Sequence, residues 1–262
     1  MTTTTTSTTP TDDDLGDTSG RAGTGTRATR VIGIAAVVML GWLTVFGLVL
    51  SPADRDQGEA VRIMYVHVPS VWLAYLAFIV TAVASAGYLF GKRHSLGFDR
   101  VAGASAEVGV VFMAVTLVSG MLWGRITWGV YWQWDARLTT TALLFLSYIG
   151  YLAVRSLEGS HAQRARRSAV IGLLAVLEIP LVHWSVRLWR SLHQEATVLN
   201  TDLDVQIDGL MLFSLFVGVI AFSLVFLWFV LHRSRTLALV DMMDDRRLDL
   251  AVAARRAEVG DG

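Results

Sequence analysis

Trp128-Gly129-Val130-Tyr131-Trp132-Gln133-Trp134-Asp135-Ala136-Arg137-Leu138-Thr139 lies between two long apolar runs, residues 101–122 and 138–154. An apolar run, a short aromatic turn and a second apolar run read as two membrane-crossing helices joined at one surface of a bilayer. The joining segment carries four large aromatics within seven residues, with Trp123 just upstream and Asp135 and Arg137 at its end. Indole and phenol rings stack on flat apolar surfaces while a polar edge tolerates the interface. An aromatic belt uses such residues for anchoring alone. A cluster this dense also makes a platform for one broad, flat, amphipathic molecule.

The chain on either side extends the membrane reading. Its 262 residues are 53% hydrophobic and 17% charged, and the mean hydropathy is +0.51, a membrane composition rather than a globular one. Six apolar runs, near 31–50, 69–90, 101–122, 138–154, 168–188 and 208–231, are long enough, or nearly so, to cross a bilayer, which takes about 20 helical residues. The expected fold is therefore all-α: a polytopic membrane protein with six transmembrane helices. Arg137 and Arg155 flank the short fourth run, where they can snorkel. Thr139-Thr140-Thr141 is expected to bond back to helix carbonyls. Residues 1–30 hold 12 Thr and are expected to form a disordered tail. Residues 31–235 form the six-helix domain, and 236–262 a solvated helical tail. The first apolar run lies too far from the N-terminus for a secretory signal and reads as retained.

Basic residues set the expected orientation. Sixteen Lys and Arg fall in the N-tail, 91–100, 155–167 and the C-tail, against five in the alternate loops, with Arg137 at a boundary. Positive-inside bias predicts both termini in the cytoplasm and the aromatic segment outside. The basic segments read as topology determinants and lipid-headgroup contacts, and nothing points to nucleic acid. With no Cys, the chain has no disulfide, thiolate metal site or C-x-x-C-H attachment signature. It carries no G-x-x-x-x-G-K-[ST] loop, so any ATP-driven step by that route needs another subunit.

Three of the six histidines fall on the predicted outer side: His67, His183 and His193. Neutral imidazole is a common axial ligand of haem iron, and two imidazoles from different loops would clamp the iron from both sides. His67 precedes Val68-Pro69, where Pro69 is expected to open the second helix and hold His67 at a rigid mouth. His94, His161 and His232 read as solvated loop or interface residues. Asp135 is expected to cap the fourth helix. Arg137 is either an interfacial anchor or a partner for a carboxylate, with Arg125 and Arg190 as alternatives. Glu107 and Glu178 lie within apolar runs. Burial is expected to keep Glu107 neutral, and Glu178 to bond a backbone group freed by Pro180.

Trp132-x-Trp134-Asp135-x-Arg137-Leu138-Thr139, Tyr65-Val66-His67-Val68-Pro69, and Pro180-Leu181-Val182-His183-Trp184-Ser185 running into Leu192-His193-Gln194 occur in this order. Together they resemble the cytochrome c assembly family, haem exporter protein C branch, over roughly residues 30 to 235. Tyr131 stands where that family usually has Trp. The resemblance implies haem b bound as cargo on the outer face of the cytoplasmic membrane. It implies His67 and His193 as axial ligands, leaving His183 as a buried structural group in reserve. Trp123, Trp128, Tyr131, Trp132, Trp134, Asp135 and Arg137 would then surround the ring. The implied partners are ABC-type transporter subunits, a small membrane adaptor and a haem chaperone. No residue set that makes or breaks a substrate bond is evident, so enzymatic activity is not expected. The alternatives are a haem lyase-type cytochrome c synthase subunit, for which the outer loops look small, and a subunit whose spans line a haem path.

Overall fold

The computed structural model describes residues 23–189, 191–193, 207 and 209–260. Among these residues it contains helices and no strand: α1 (Arg27–Leu43), α2 (Met64–Phe90), α3 (Leu96–Trp128), α4 (Ala136–Arg155), α5 (His161–Ala175), α6 (Glu178–Leu188) and α7 (Gly209–Gly260). Six helical stretches are long and apolar enough to cross a membrane, with α5 and α6 together supplying the fifth. The chain is a multi-pass membrane protein.

Local chemistry sets the helix ends. Thr26 and Thr29 form a capping box on α1, and Ser160 and Gln163 do the same on α5. The Asp135 side chain accepts from Leu138 N at 2.8 Å and caps α4 as expected. Gly129 ends α3 at φ +77°, a conformation that costs a side-chain-bearing residue energy. Thr140 and Thr141 donate to the carbonyls of Ala136 and Arg137, each at 2.7 Å.

Several sequence expectations need correction. Residues 27–30, read as part of a disordered tail, open α1, because the Thr26 capping box starts the helix there. Pro69 does not open the second helix. A 3₁₀ turn (Glu59–Ile63) leads into α2 at Met64, placing Pro69 inside the helix and His67 in its first turn. Tyr65 anchors that start: its hydroxyl lies 2.5 Å from Ser51 Oγ, and Pro69 packs against α7 at Gly218. The fifth span is two helices rather than one. Pro180 cannot donate to Val176, and around it the chain makes tighter bonds such as Ile179 N to Val176 O at 3.1 Å. Glu178 accepts from Ser147 Oγ of α4 at 2.7 Å rather than from a freed backbone group. Glu107 is not an isolated buried acid; Arg233 of α7 grips it with both Nε (2.5 Å) and Nη2 (2.9 Å).

Helices α2 and α3 pack through small residues, including Ala74, Ala77, Ala102 and Ala106, all buried. A Cβ at Gly109 would fall 2.5 Å from the Phe78 ring. This close approach is how helices gain dispersion energy where lipid supplies no hydrophobic drive. Phe78 in turn stacks on Tyr148 of α4, with centroids 3.6 Å apart.

The two ends of the bundle differ. At one end Asp99, buried, takes a bidentate grip from Arg155. Asp241 accepts from Arg100 at 2.8 Å and Arg164 at 3.0 Å, and His161 lies 3.1 Å from Asp245. Arg235 donates to the Thr24 carbonyl at 2.5 Å, placing the start of α1 here too. The 52 residues of α7 run about 78 Å, far beyond the ~30 Å hydrocarbon layer. Its polar part therefore continues the last span without a break at residue 235. The aromatic turn between α3 and α4 sits at the opposite end.

Candidate functional site

Three helices and two loops enclose a cavity of about 80 Å³ at the aromatic end, partly open to its surroundings. His67, Val71 and Tyr75 line it from α2, four residues apart and so on one helical face. Met113, Thr116, Gly120 and Met121 line it from α3 at the same periodicity, and Arg137, Leu138 and Thr141 from α4. Trp128, Trp132 and His193 complete the lining, which is mainly apolar.

The two imidazoles reach this cavity from separate parts of the chain. His67 sits edge-on to Trp123, centroids 5.7 Å apart, with Nδ1 3.0 Å from Ser119 Oγ. A Cβ at residue 120 would lie 3.0 Å from His67 Cε1, so Gly120 makes room for the ring. Trp123 Nε1 donates to Gln57 Oε1 at 2.7 Å, tying the first loop of this end to α3. His193 sits edge-on to Trp128, centroids 5.1 Å apart.

Asp135 holds the His193 segment in place. Ser191 Oγ donates to Asp135 Oδ2 at 2.7 Å, Leu192 N donates to the same oxygen at 3.2 Å, and Ser191 Oγ accepts from His193 N at 3.0 Å. One carboxylate thus caps α4 and fastens the loop that carries an imidazole. Burial, and secondarily the Arg137 charge, pulls the His193 pKa down to about 4. His193 is therefore neutral near pH 7, the form that donates a lone pair.

Three buried polar atoms without partners belong to residues lining this cavity: His193 Nδ1, Trp132 Nε1 and Arg137 Nε. An unsatisfied buried group costs about 1–3 kcal/mol. Two are donors, and Arg137 is a cation with an Nη2 held 3.0 Å from the His183 carbonyl. The set suits a broad apolar ligand that carries anionic oxygens and a centre able to accept imidazole nitrogen.

Of the residues picked out by sequence, the fold gathers His67, His193, Trp128, Trp132 and Arg137 around the cavity. Trp123 and Asp135 stand behind the two imidazoles. Tyr131 (54% exposed) and Trp134 (80% exposed) face outward, with Trp134 edge-on to Trp132 at 5.4 Å. His183 is not buried. Its side chain is exposed on α6, and only its carbonyl reaches the site, through Arg137. Arg125 donates to the Gly129 carbonyl and lies 5.6 Å from the Tyr131 ring centre, so it braces the turn. Arg190 lies outside the described residues. Sequence reasoning missed Tyr75, Ser119, Gly120 and Met121. The signal was the shared helical face of 113, 116, 120 and 121, hidden inside an ordinary apolar run.

Comparison with known proteins gives a consistent result. The family model for "Heme exporter protein C" matches residues 15–248. A "Heme exporter protein C" of Bradyrhizobium diazoefficiens is 40% identical over 192 residues, 73% of this chain and 72% of that protein. The protein of that name in Escherichia coli (strain K12) is 32% identical over 219 residues, 82% of this chain and 85% of its own length. A "Putative cytochrome c biosynthesis ccmC-like mitochondrial protein" of Arabidopsis thaliana is 33% identical over 186 residues, 71% of this chain and 70% of its own. With the family model spanning most of the sequence and relatives matched over most of their length, the chain belongs to the heme exporter protein C family.

Proposed function

We propose that this protein handles haem during c-type cytochrome maturation, holding haem b as cargo at the outer face of the cytoplasmic membrane. The observation that carries this reading is the meeting of two imidazoles, His67 and His193, at one apolar cavity walled by Trp128 and Trp132. His67 and His193 supply the axial nitrogens. Trp128 and Trp132 pack against the macrocycle, and Arg137, with its free Nε, takes a propionate. Asp135 and Trp123 keep the two imidazoles in place. Tyr131 and Trp134 anchor the end in the interface.

Delivery is a ligand exchange. His67 rides on a helix, while His193 sits on a short loop tied down by one carboxylate. An incoming ligand from a haem chaperone or apocytochrome displaces His193 first. No bond within the haem is made or broken, so the reading is of a carrier rather than an enzyme. Export energy comes from ABC-type transporter subunits, and a small membrane adaptor holds the assembly together. The basic end, with its arginine-rich loops, faces the cytoplasm.

Two measurements test this proposal. The purified full-length protein should carry non-covalent haem b, seen as a pyridine haemochrome, with a low-spin spectrum in both redox states. A haem-free preparation that also fails to take up added haem would refute it. Single cysteines replacing Tyr131 and Glu158, both exposed, should react with an impermeant thiol reagent on opposite sides, Tyr131→Cys from outside. The reverse labelling would place the site on the wrong face.

A further inference from the structure

We propose that Ser119 is a positioning residue that fixes the tautomer of His67, protonating Nδ1 and leaving the Nε2 lone pair for a ligand; this rests on the reading of His67 as an axial ligand. Ser119 is buried on α3, and its hydroxyl lies 3.0 Å from His67 Nδ1. A hydroxyl has one proton and two lone pairs. That proton is already directed at backbone carbonyls, Val115 O at 2.7 Å and Thr116 O at 3.2 Å. Carbonyl oxygens accept and cannot donate. Ser119 Oγ therefore faces His67 as an acceptor, and the proton between them belongs to Nδ1. The Thr116 backbone carbonyl, which likewise can only accept, also interacts with the His67 ring.

The next residue completes the seat. A Cβ at 120 would stand 3.0 Å from His67 Cε1, so Gly120 lets the ring lie against α3 while Ser119 holds Nδ1. A ligating imidazole whose other N–H is fixed by an acceptor is oriented and made more basic. An unfixed imidazole would divide its proton between the two nitrogens, and the Nε2–H form cannot bind iron through Nε2. The serine performs this with a neutral group, in a region where a carboxylate would cost desolvation energy.

The test reads the tautomer without haem. Full-length protein labelled with [15N]histidine, haem-free in lipid nanodiscs, gives separate signals for protonated and bare ring nitrogens. The His67 signals are assigned by their disappearance in His67→Gln. Wild-type His67 should show Nδ1 protonated and Nε2 bare. Ser119→Ala should shift the tautomer ratio toward Nε2–H by roughly two- to tenfold, the equivalent of one net hydrogen bond. Ser119→Thr, which keeps the hydroxyl, should restore the wild-type ratio. Haem titration should follow the same order, with affinity falling roughly 10–100-fold in Ser119→Ala. A wild-type His67 protonated at Nε2, or a ratio indifferent to Ser119→Ala, would overturn the proposal. If the ratio follows Ser119 but His67→Ala keeps its low-spin haem, the assignment to Ser119 stands and the ligand reading of His67 falls.

Discussion

The two ends of this bundle solve opposite problems. At the basic end the buried acids are paired, Asp99 with Arg155 and Asp241 with Arg100 and Arg164, and the partly exposed Glu107 pairs with Arg233. At the aromatic end the lining of one cavity holds three buried polar atoms without a hydrogen-bond partner. The first arrangement closes a structure. The second leaves polar atoms facing a cavity, and the proposed haem site would use them. Histidines differ in the same way. His161 lies beside two carboxylates, whereas His67 and His193 lie among aromatic rings. The contrast is one of surroundings: carboxylates paired with arginines at one end, imidazoles beside aromatic rings and an apolar cavity at the other.

The largest expected effect sharpens the scaffold side. Asp99→Asn removes one partner of a buried pair and leaves Arg155 uncompensated, a loss of about 3–5 kcal/mol. Thermal unfolding followed by near-UV circular dichroism should show a sharply lower midpoint. The protein still folded below that midpoint should keep the wild-type haem spectrum. A changed spectrum with an unchanged midpoint would break the division between the ends.

Asp135→Ala should do the converse. It removes a helix cap worth about 1 kcal/mol and releases the loop carrying His193. The stability loss is modest, while haem affinity falls roughly 10–100-fold, as read by competition with an apo-haem protein of known affinity. Equal haem retention with wild type would reduce Asp135 to a cap alone.

The aromatic pair divides more finely. Trp132 lines the cavity and Trp134 is 80% exposed. Trp132→Ala should speed haem release by up to about tenfold, since a buried aromatic contact contributes about 0.5–1.5 kcal/mol beyond its area. Trp134→Ala should leave release within about twofold of wild type, close to the ±0.5 kcal/mol of ordinary surface changes. Equal losses from both would return the segment to simple anchoring.

Acid gives the smallest effect. The His193 pKa of about 4 lies below the ordinary value of ~6.5, so the unfolded chain takes up this proton first. Its contribution to stability is complete above about pH 6.5 and is lost as pH falls toward 4. In the haem-free protein, wild type should lose on the order of 1 kcal/mol more than His193→Gln on moving from pH 7.5 to about 5.5. Parallel pH profiles would show that His193 is not buried as described.

Much of this fold was legible in the sequence because bilayer thickness fixes helix length. Six apolar runs became six spans, and Asp135 before Ala136-Arg137-Leu138 became a helix cap. The pairing of Trp132, Arg137, His67 and His193 followed from motifs whose order resembles one family. What stayed hidden depends on long-range partners. Asp241 reads as a solvated tail residue, yet it is 3% exposed, because Arg100 and Arg164 arrive from distant segments. Pro69 reads as a helix start, but Tyr65 anchored to Ser51 extends the helix before it. Ser119 reads as one more small residue in an apolar run. Its role emerges only when α2 brings His67 within 3.0 Å. His183 matched a motif, but helical phase turns its side chain away from the cavity.

The central claim is that His67 and His193 hold haem iron together. The most direct measurement is the ferric spectrum, by absorption and electron paramagnetic resonance, of haem-loaded wild type, His67→Ala, His193→Ala and His183→Ala. Wild type and His183→Ala should give the same low-spin bis-imidazole signature. His67→Ala and His193→Ala should each lose it, and added imidazole should partly restore it by filling the vacated position. If either His67→Ala or His193→Ala keeps the wild-type signature, or if His183→Ala loses it, the iron is held elsewhere and the account of this cavity is wrong.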